Sequence, residues 1–285
     1  MYKHNKVFFG LVSLMLAGSL AGQTLPPANL VTIPTAGTMQ RGSYEVEMLM
    51  QAGGGVLGRL GVGISDQFSL GMSYGVQQFI GDQKPSINRS MPEAQLKFRL
   101  FEESYKMPAI ALGLDTQGRG TFQSKTVRDT TFADSISIIP TINETTYERY
   151  EIKAIGIYIV ASKNWDVLGN FGSHIGISKN LLESDDIDDD LNLFFGVDKD
   201  LSEQFSLFLE FNAALDDNGY TGDNLTKLEG FTVGKGSGYL NAGFRWHIAE
   251  TFYMEIDFND ILINKGKADV DNISRELKVV FNDYF

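Results

Sequence analysis

Apolar and polar residues alternate with a period of two over much of the chain. From Tyr239 to Ile248, Leu240, Ala242, Phe244, Trp246 and Ile248 share one parity, while Asn241, Gly243, Arg245 and His247 share the other. Successive side chains of a strand point to opposite faces, so this segment predicts a strand with one apolar and one polar side. The next segment repeats the pattern, with Phe252, Met254, Ile256 and Phe258 against Tyr253, Glu255, Asp257 and Asn259. The same alternation runs through residues 44–50, 70–76, 94–100, 191–197 and 205–211. Weaker versions occupy 56–64, 109–115, 152–162, 167–177 and 276–285, for a total of about twelve strands. In KAIGIYIVAS both parities are largely apolar, so its facing is left open.

The links between strands alternate in length. Short ones fall at Ser65–Gln67, Glu102–Pro108, Lys163–Asp166, Asp200–Gln204 and Ala249–Thr251. Long ones fall at Phe79–Pro92, Thr116–Arg149, Lys179–Asp190, Asp216–Gly238 and Ile263–Ser274, with Gly53–Gly55 a short exception. Outer-membrane barrels have short periplasmic turns and longer extracellular loops, and a soluble sandwich has no reason to alternate in this way. The expected fold is therefore an all-β, transmembrane, antiparallel up-and-down β-barrel with both termini on the periplasmic side.

The N-terminus fits that location. Lys3 and Lys6 precede an apolar run from Val7 to Leu20, followed by Ser19 and Ala21 as small residues near a cleavage point. This is the form of a secretory signal peptide, and the run is shorter than the ~20 residues of a spanning helix. The expected organisation is a signal peptide at 1–22, a periplasmic N-terminal segment at 23–42 and an outer-membrane barrel at 43–285. At the other end, Leu277, Val279, Phe281 and Phe285 share a parity and the chain finishes on an aromatic. Phe281 and Phe285 are the expected signal for the outer-membrane assembly machinery, with Asp283 a polar interruption.

Composition narrows the function. The chain has no cysteine, which excludes disulfides, zinc–thiolate sites and an acylated N-terminal cysteine. Loss of Lys3 and Lys6 with the leader moves the net charge from -12 to -14, which argues against nucleic acid as a partner. Seen from the polar parity, the candidate lumen-lining residues are Arg59, Lys97, Arg99, His174, Arg245, His247 and Glu255, with Glu45, Glu47, Gln77, Asp115, Asp198, Glu210, Asp257 and Lys278 beside them. The mixture has no ring of one sign, so it predicts a filled or narrow lumen rather than a strongly selective pore. Among these, Arg59, Lys97, Arg99, Arg245 and Glu255 are the candidates to line a path.

Catalysis has little to work with. After the leader only His174 and His247 remain, both lumenal by parity, with Ser178 in phase with His174. A lipid-modifying hydrolase of this shape would place its histidine and serine toward lipid, so a hydrogen-bonding role is expected and no catalytic residue is assigned. The acidic runs 183–190 and 216–224 match no calcium-loop spacing, and no metal or cofactor is expected. Gly53–Gly63 lacks the lysine of a phosphate loop.

Three stretches carry a family resemblance: NLVTIPTAGTMQRGSYEVE at 29–47, EAQLKFRLFEESYKMPAIALGLDTQGRG at 93–120 and YIVASKNW at 158–165. They resemble the YjbH-type outer-membrane proteins associated with exopolysaccharide production. The resemblance implies a non-enzymatic barrel that exports, presents or assembles envelope polysaccharide. Its expected partners are outer-membrane lipids, the assembly machinery, and an anionic polysaccharide or periplasmic export components. A small general porin or a structural barrel is the alternative, and the lipid-modifying hydrolase is a third reading.

Overall fold

In the computed structural model, residues 26–82, 84–132, 140–183, 188, 190–217, 237–261 and 274–285 are described. The leader at 1–22 lies outside these residues, as do parts of the acidic runs (184–187, 189 and 218–224).

Among the described residues, fifteen strands follow in chain order: β1 Ser43–Met50, β2 Val56–Ser65, β3 Phe68–Gln77, β4 Ser86–Ile87, β5 Glu93–Phe101, β6 Ala109–Asp115, β7 Arg119–Phe132, β8 Pro140–Ile152, β9 Gly156–Asp166, β10 Asn170–Lys179, β11 Asn192–Asp200, β12 Phe205–Asn212, β13 Tyr239–Ala249, β14 Phe252–Asn259 and β15 Ser274–Tyr284. Twelve of them close into an antiparallel up-and-down barrel, β1–β2–β3–β5–β6–β9–β10–β11–β12–β13–β14–β15, sealed by pairing of β15 with β1 from Ser43 against Tyr284 to Met50 against Leu277. Closure leaves the barrel without an unpaired edge.

The alternation in the sequence becomes an apolar outside and a largely polar inside. Val46, Met48, Leu60, Met72, Leu96, Phe98, Leu193, Phe195, Leu207, Leu209 and Ile256 stand on the outer face, while Glu47, Lys97, Glu210, Glu255, Asp257 and Lys278 are buried within. Aromatic pairs gather near the short turns: Phe205 with Phe244 and Trp246, Trp165 with Phe171, and Tyr44 with Phe281 and Phe285. Amphipathic rings at the boundary of an apolar band are a feature of transmembrane barrels. In β9, Ile157 and Ile159 face out and Tyr158 and Val160 face in, which settles the strand whose parity was ambiguous.

Three departures from the sequence expectation matter. The link at Lys163–Asp166 is strand, and the turn comes at 167–169, where Leu168 and Gly169 take the positive φ the reversal needs (52° and 96°). The segment 152–162 is not one strand, because 153–155 bend into the mouth of the barrel between β8 and β9. The long link Thr116–Arg149 contains β7 and most of β8, a separate two-stranded hairpin outside the barrel. At ~3.3 Å per residue the 14-residue β7 is about 46 Å long. Polar residues fill both parities of its Thr-rich sequence, so no period-two apolar signal marked it.

Candidate functional site: a lumen closed by the N-terminal segment

The main correction concerns residues 26–42. The sequence expectation puts this segment in the periplasm, yet residues 28–36 lie inside the barrel, with Leu30, Val31, Ile33, Thr35 and Ala36 almost wholly buried. The segment forms a tight loop: Asn29 bridges Pro34, and a Cβ at Gly37 would meet the Pro26 carbonyl oxygen at 2.0 Å. It leaves the lumen beneath the short β2–β3 turn, where Asp66 accepts the Thr38 hydroxyl (2.7 Å) and the Arg41 N–H (3.0 Å). Both arms of the loop thus run side by side, and its tip points toward the end with the long loops.

The wall that receives this plug has two kinds of surface. On β6, β9, β11 and β12 the inward side chains Ala109, Ala111, Tyr158, Val160, Phe194 and Phe208 form one apolar cluster with Leu30, Val31, Ile33 and Ala36. Glycine makes room for it, since a Cβ at Gly196 would lie 2.5 Å from Leu30 Cδ1 and 2.9 Å from Ile33 Cδ1. Burial of Leu30, Val31 and Ile33 stabilises the seated plug by about 1.5–3 kcal/mol per side chain. Apolar residues repeat on both parities of YIVAS and LNLFF, so period alone could not find this inward patch.

Polar contacts fix the register of the plug, chiefly through its main chain. Glu210 accepts the N–H groups of Val31 (2.9 Å), Thr32 (2.9 Å) and Ile33 (3.2 Å) together with the Thr32 hydroxyl. A carboxylate that takes several N–H groups forms charge-assisted bonds of the stronger kind. Lys97 donates to the Ala28 carbonyl, and Arg119 to that of Val31 (2.7 Å).

His174 belongs to the same attachment. Its Nδ1 is 2.7 Å from Ser162 Oγ and its Nε2 is 2.6 Å from Asp198 Oδ1, on three consecutive barrel strands. Ser162 Oγ in turn accepts the Ala36 N–H at 2.8 Å. With Nε2–H donating to Asp198, Nδ1 accepts a hydrogen bond from the Ser162 hydroxyl and the chain of bonds ends on the plug. These are the residue types of a hydrolytic triad, but the imidazole is reversed relative to the usual serine–Nε2 arrangement, and Ala36 covers the serine. The partner is Ser162, directly opposite His174 in the ladder, rather than Ser178 two turns of the pleat away; strand register, not sequence parity, supplies this contact.

The remaining wall, on β1, β2, β13, β14 and β15, is charged and largely paired within itself. Arg59 faces Glu47 (3.5 Å), Arg245 donates to Glu255 (2.7 Å), and Lys278 bonds Glu255 and lies 3.3 Å from Asp257. The Arg245 guanidinium also stacks between Phe208 and Tyr253, 4.6 and 4.4 Å from their ring centres. Of the predicted lumen residues, Arg59, Lys97, His174, Arg245 and Glu255 sit in the interior, Arg99 holds the Asp66 carbonyl (2.8 Å) at the turn end, and His247 lies at the rim beside Tyr253. Between plug and charged wall a narrow cavity of about 60 Å³ extends from Glu45 and Tyr253 near the turns to Asp115, Gln117 and Asn212 near the loops. That is room for a few waters.

A second closure covers the loop end. Arg149 is buried against Asp217 (2.7 Å), to which Tyr239 also donates, and Lys153 donates to the Asp188 and Asp216 carbonyls (2.8 and 2.6 Å). Glu183 accepts the N–H groups of Tyr150 and Ala154, both at 3.0 Å. Burial raises the Glu183 carboxyl to about 7 against these donors, and burial raises Asp216 to about 6.

No protein-family model matches the chain, and no curated protein matches it. Among solved structures, it is similar to the KdgM porin, at 8% identity over 85% of this chain and 99% of that one, with a TM-score of 0.42. It is similar to Omp33 of Acinetobacter baumannii at 7% identity over 85% and 97%, with a TM-score of 0.41. The N-terminal β-barrel domain of Pseudomonas aeruginosa OprF shares 10% identity over 86% and 100%, with a TM-score of 0.22.

Proposed function

We propose that this protein is a non-enzymatic outer-membrane barrel of the structural kind, held closed by its own N-terminal segment. The observation that carries the reading is the burial of Leu30, Val31 and Ile33 in the lumen, clamped by Glu210. A closed barrel with an apolar exterior and aromatic pairs along one rim suits the outer membrane, with the short-turn end in the periplasm. The reversed and covered Ser162–His174–Asp198 arrangement favours attachment over hydrolysis. Export of an anionic polysaccharide, implied by the YjbH-type resemblance, would need a much wider path than the cavity beside the seated plug. Of the lumenal cations that would attract such a chain, Arg59, Arg245 and Lys278 are also engaged by carboxylates.

Planar-bilayer recording on the full mature chain tests the reading. A folded, inserted barrel without steady conductance is the expected result. Steady conductance blocked by anionic oligosaccharides would replace it with the export reading, and steady conductance indifferent to them would make the protein an ordinary porin.

A further inference from the structure

We infer that the plug is displaceable and that beneath it lies a latent passage which prefers cations. The inference rests on the reading of the chain as a barrel closed at rest, and it adds a function to that reading.

Three features make the plug withdrawable. It contributes no strand to the barrel, whose ladder closes through β1 and β15 without it. Its two arms lie together at Pro26 and Gly37, so it can retreat toward the turn end as a loop, with no free end to thread. Its polar attachments are single side chains, mostly on main-chain groups, at Glu210, Ser162, Lys97 and Arg119, and each can be remade on return.

The wall left behind is already organised as a conduit. The cavity lies beside the plug, along a surface whose ion pairs do not involve the plug. Withdrawal widens this slot as far as the loop-end contacts of Arg149, Lys153 and Glu183, which must part as well for ions to cross. Its sign follows from which charges remain unmatched. Arg59 keeps Glu47, and Arg245 and Lys278 share Glu255. Lys97 loses Ala28 but has Asp115 on the adjacent strand β6, two residues along from its register partner Gly113. Glu210 loses every plug N–H group it now accepts, and Glu45 faces the slot with no cationic partner within ion-pair distance among the described residues. The excess is negative, and a low-dielectric channel with such an excess attracts cations.

The test uses the full mature chain in planar bilayers, as wild type, Glu210→Gln and Gly196→Leu. The first variant removes half of the carboxylate acceptor, and the second places a side chain where Leu30 and Ile33 now pack. Added protease that clips residues 26–38 reports displacement, and resistance to SDS at room temperature confirms a folded barrel. The expected result is clipping together with an open fraction about tenfold or more above wild type. The current should reverse on the cation side in a potassium chloride gradient. A segment that stays protease-resistant in both variants overturns displacement. A clipped but silent barrel overturns the passage, and anion preference overturns the charge argument. Steady conductance by wild type with the plug protected would instead defeat the closed-barrel reading itself.

Discussion

Glu210 on β12 and Thr32 in the plug are 178 residues apart in sequence, and the Thr32 N–H donates to the Glu210 carboxylate at 2.9 Å. The Thr32 hydroxyl and the neighbouring N–H groups of Val31 and Ile33 reach the same carboxylate. One barrel side chain therefore reads the backbone of three consecutive plug residues, and the carboxylate would otherwise be buried without a cation. Glu210→Ala should weaken plug seating by about 2–4 kcal/mol, because several charge-assisted bonds are lost together. Protection of residues 26–38 from protease, compared between variant and wild type, checks this.

Packing should matter as much as polarity. Ile33→Ala removes a buried side chain from the apolar cluster and should cost about 2–5 kcal/mol of plug seating, depending on how far Phe194 and Phe208 relax into the gap. Gly58→Ala is the control, since a Cβ there meets nothing within 4 Å. Hydrogen exchange of the Leu30–Ala36 amides should quicken in the first variant and stay unchanged in the second.

The sign of the pH dependence at the loop end follows from Glu183 and Asp216. Burial raises both above their ordinary values of 4.5 and 3.8, to about 7 and about 6, so the folded closure holds protons more tightly than the unfolded chain. Their favourable contribution is complete below the ordinary values and is lost as pH rises through the raised ones. Amide exchange at Tyr150 and Ala154, corrected for its intrinsic pH dependence, should show weaker protection at pH 8 than at pH 5. Glu183→Gln should flatten much of that change.

On the outer face, Leu209→Lys puts a charge into the apolar band while leaving the lumen unaltered. The expected cost is about 2–4 kcal/mol if the position lies near the bilayer midplane. Folding yield into lipid vesicles, read by the heat-dependent mobility shift, should fall for this variant and remain near wild type for Leu209→Ile.

The barrel was legible because strands such as β13 and β14 carry clean alternation, and because short and long links alternate around the circle. The plug was not legible, because NLVTIPTAG is too short and aperiodic to announce a partner, and its site comes from six separate strands. Phe194 and Phe208 were hidden by apolar neighbours of the opposite parity, Phe195 and Leu209. Ser162 and His174 meet only because β9 and β10 pair in one particular register. The sequence selects Arg59 and Arg245 by their polar parity, while the carboxylates that occupy them emerge from cross-strand neighbours in the folded wall.

The absence of native cysteine makes the central claim directly measurable. Ala36→Cys places one thiol at a fully buried plug position, and Arg41→Cys places one at an exposed position just outside. In the folded, vesicle-inserted barrel, a membrane-impermeant maleimide should label Cys at 41 readily, and Cys at 36 only after the barrel is unfolded by heating in SDS. Equal labelling of the two in the folded state would contradict a lumen closed by the N-terminal segment.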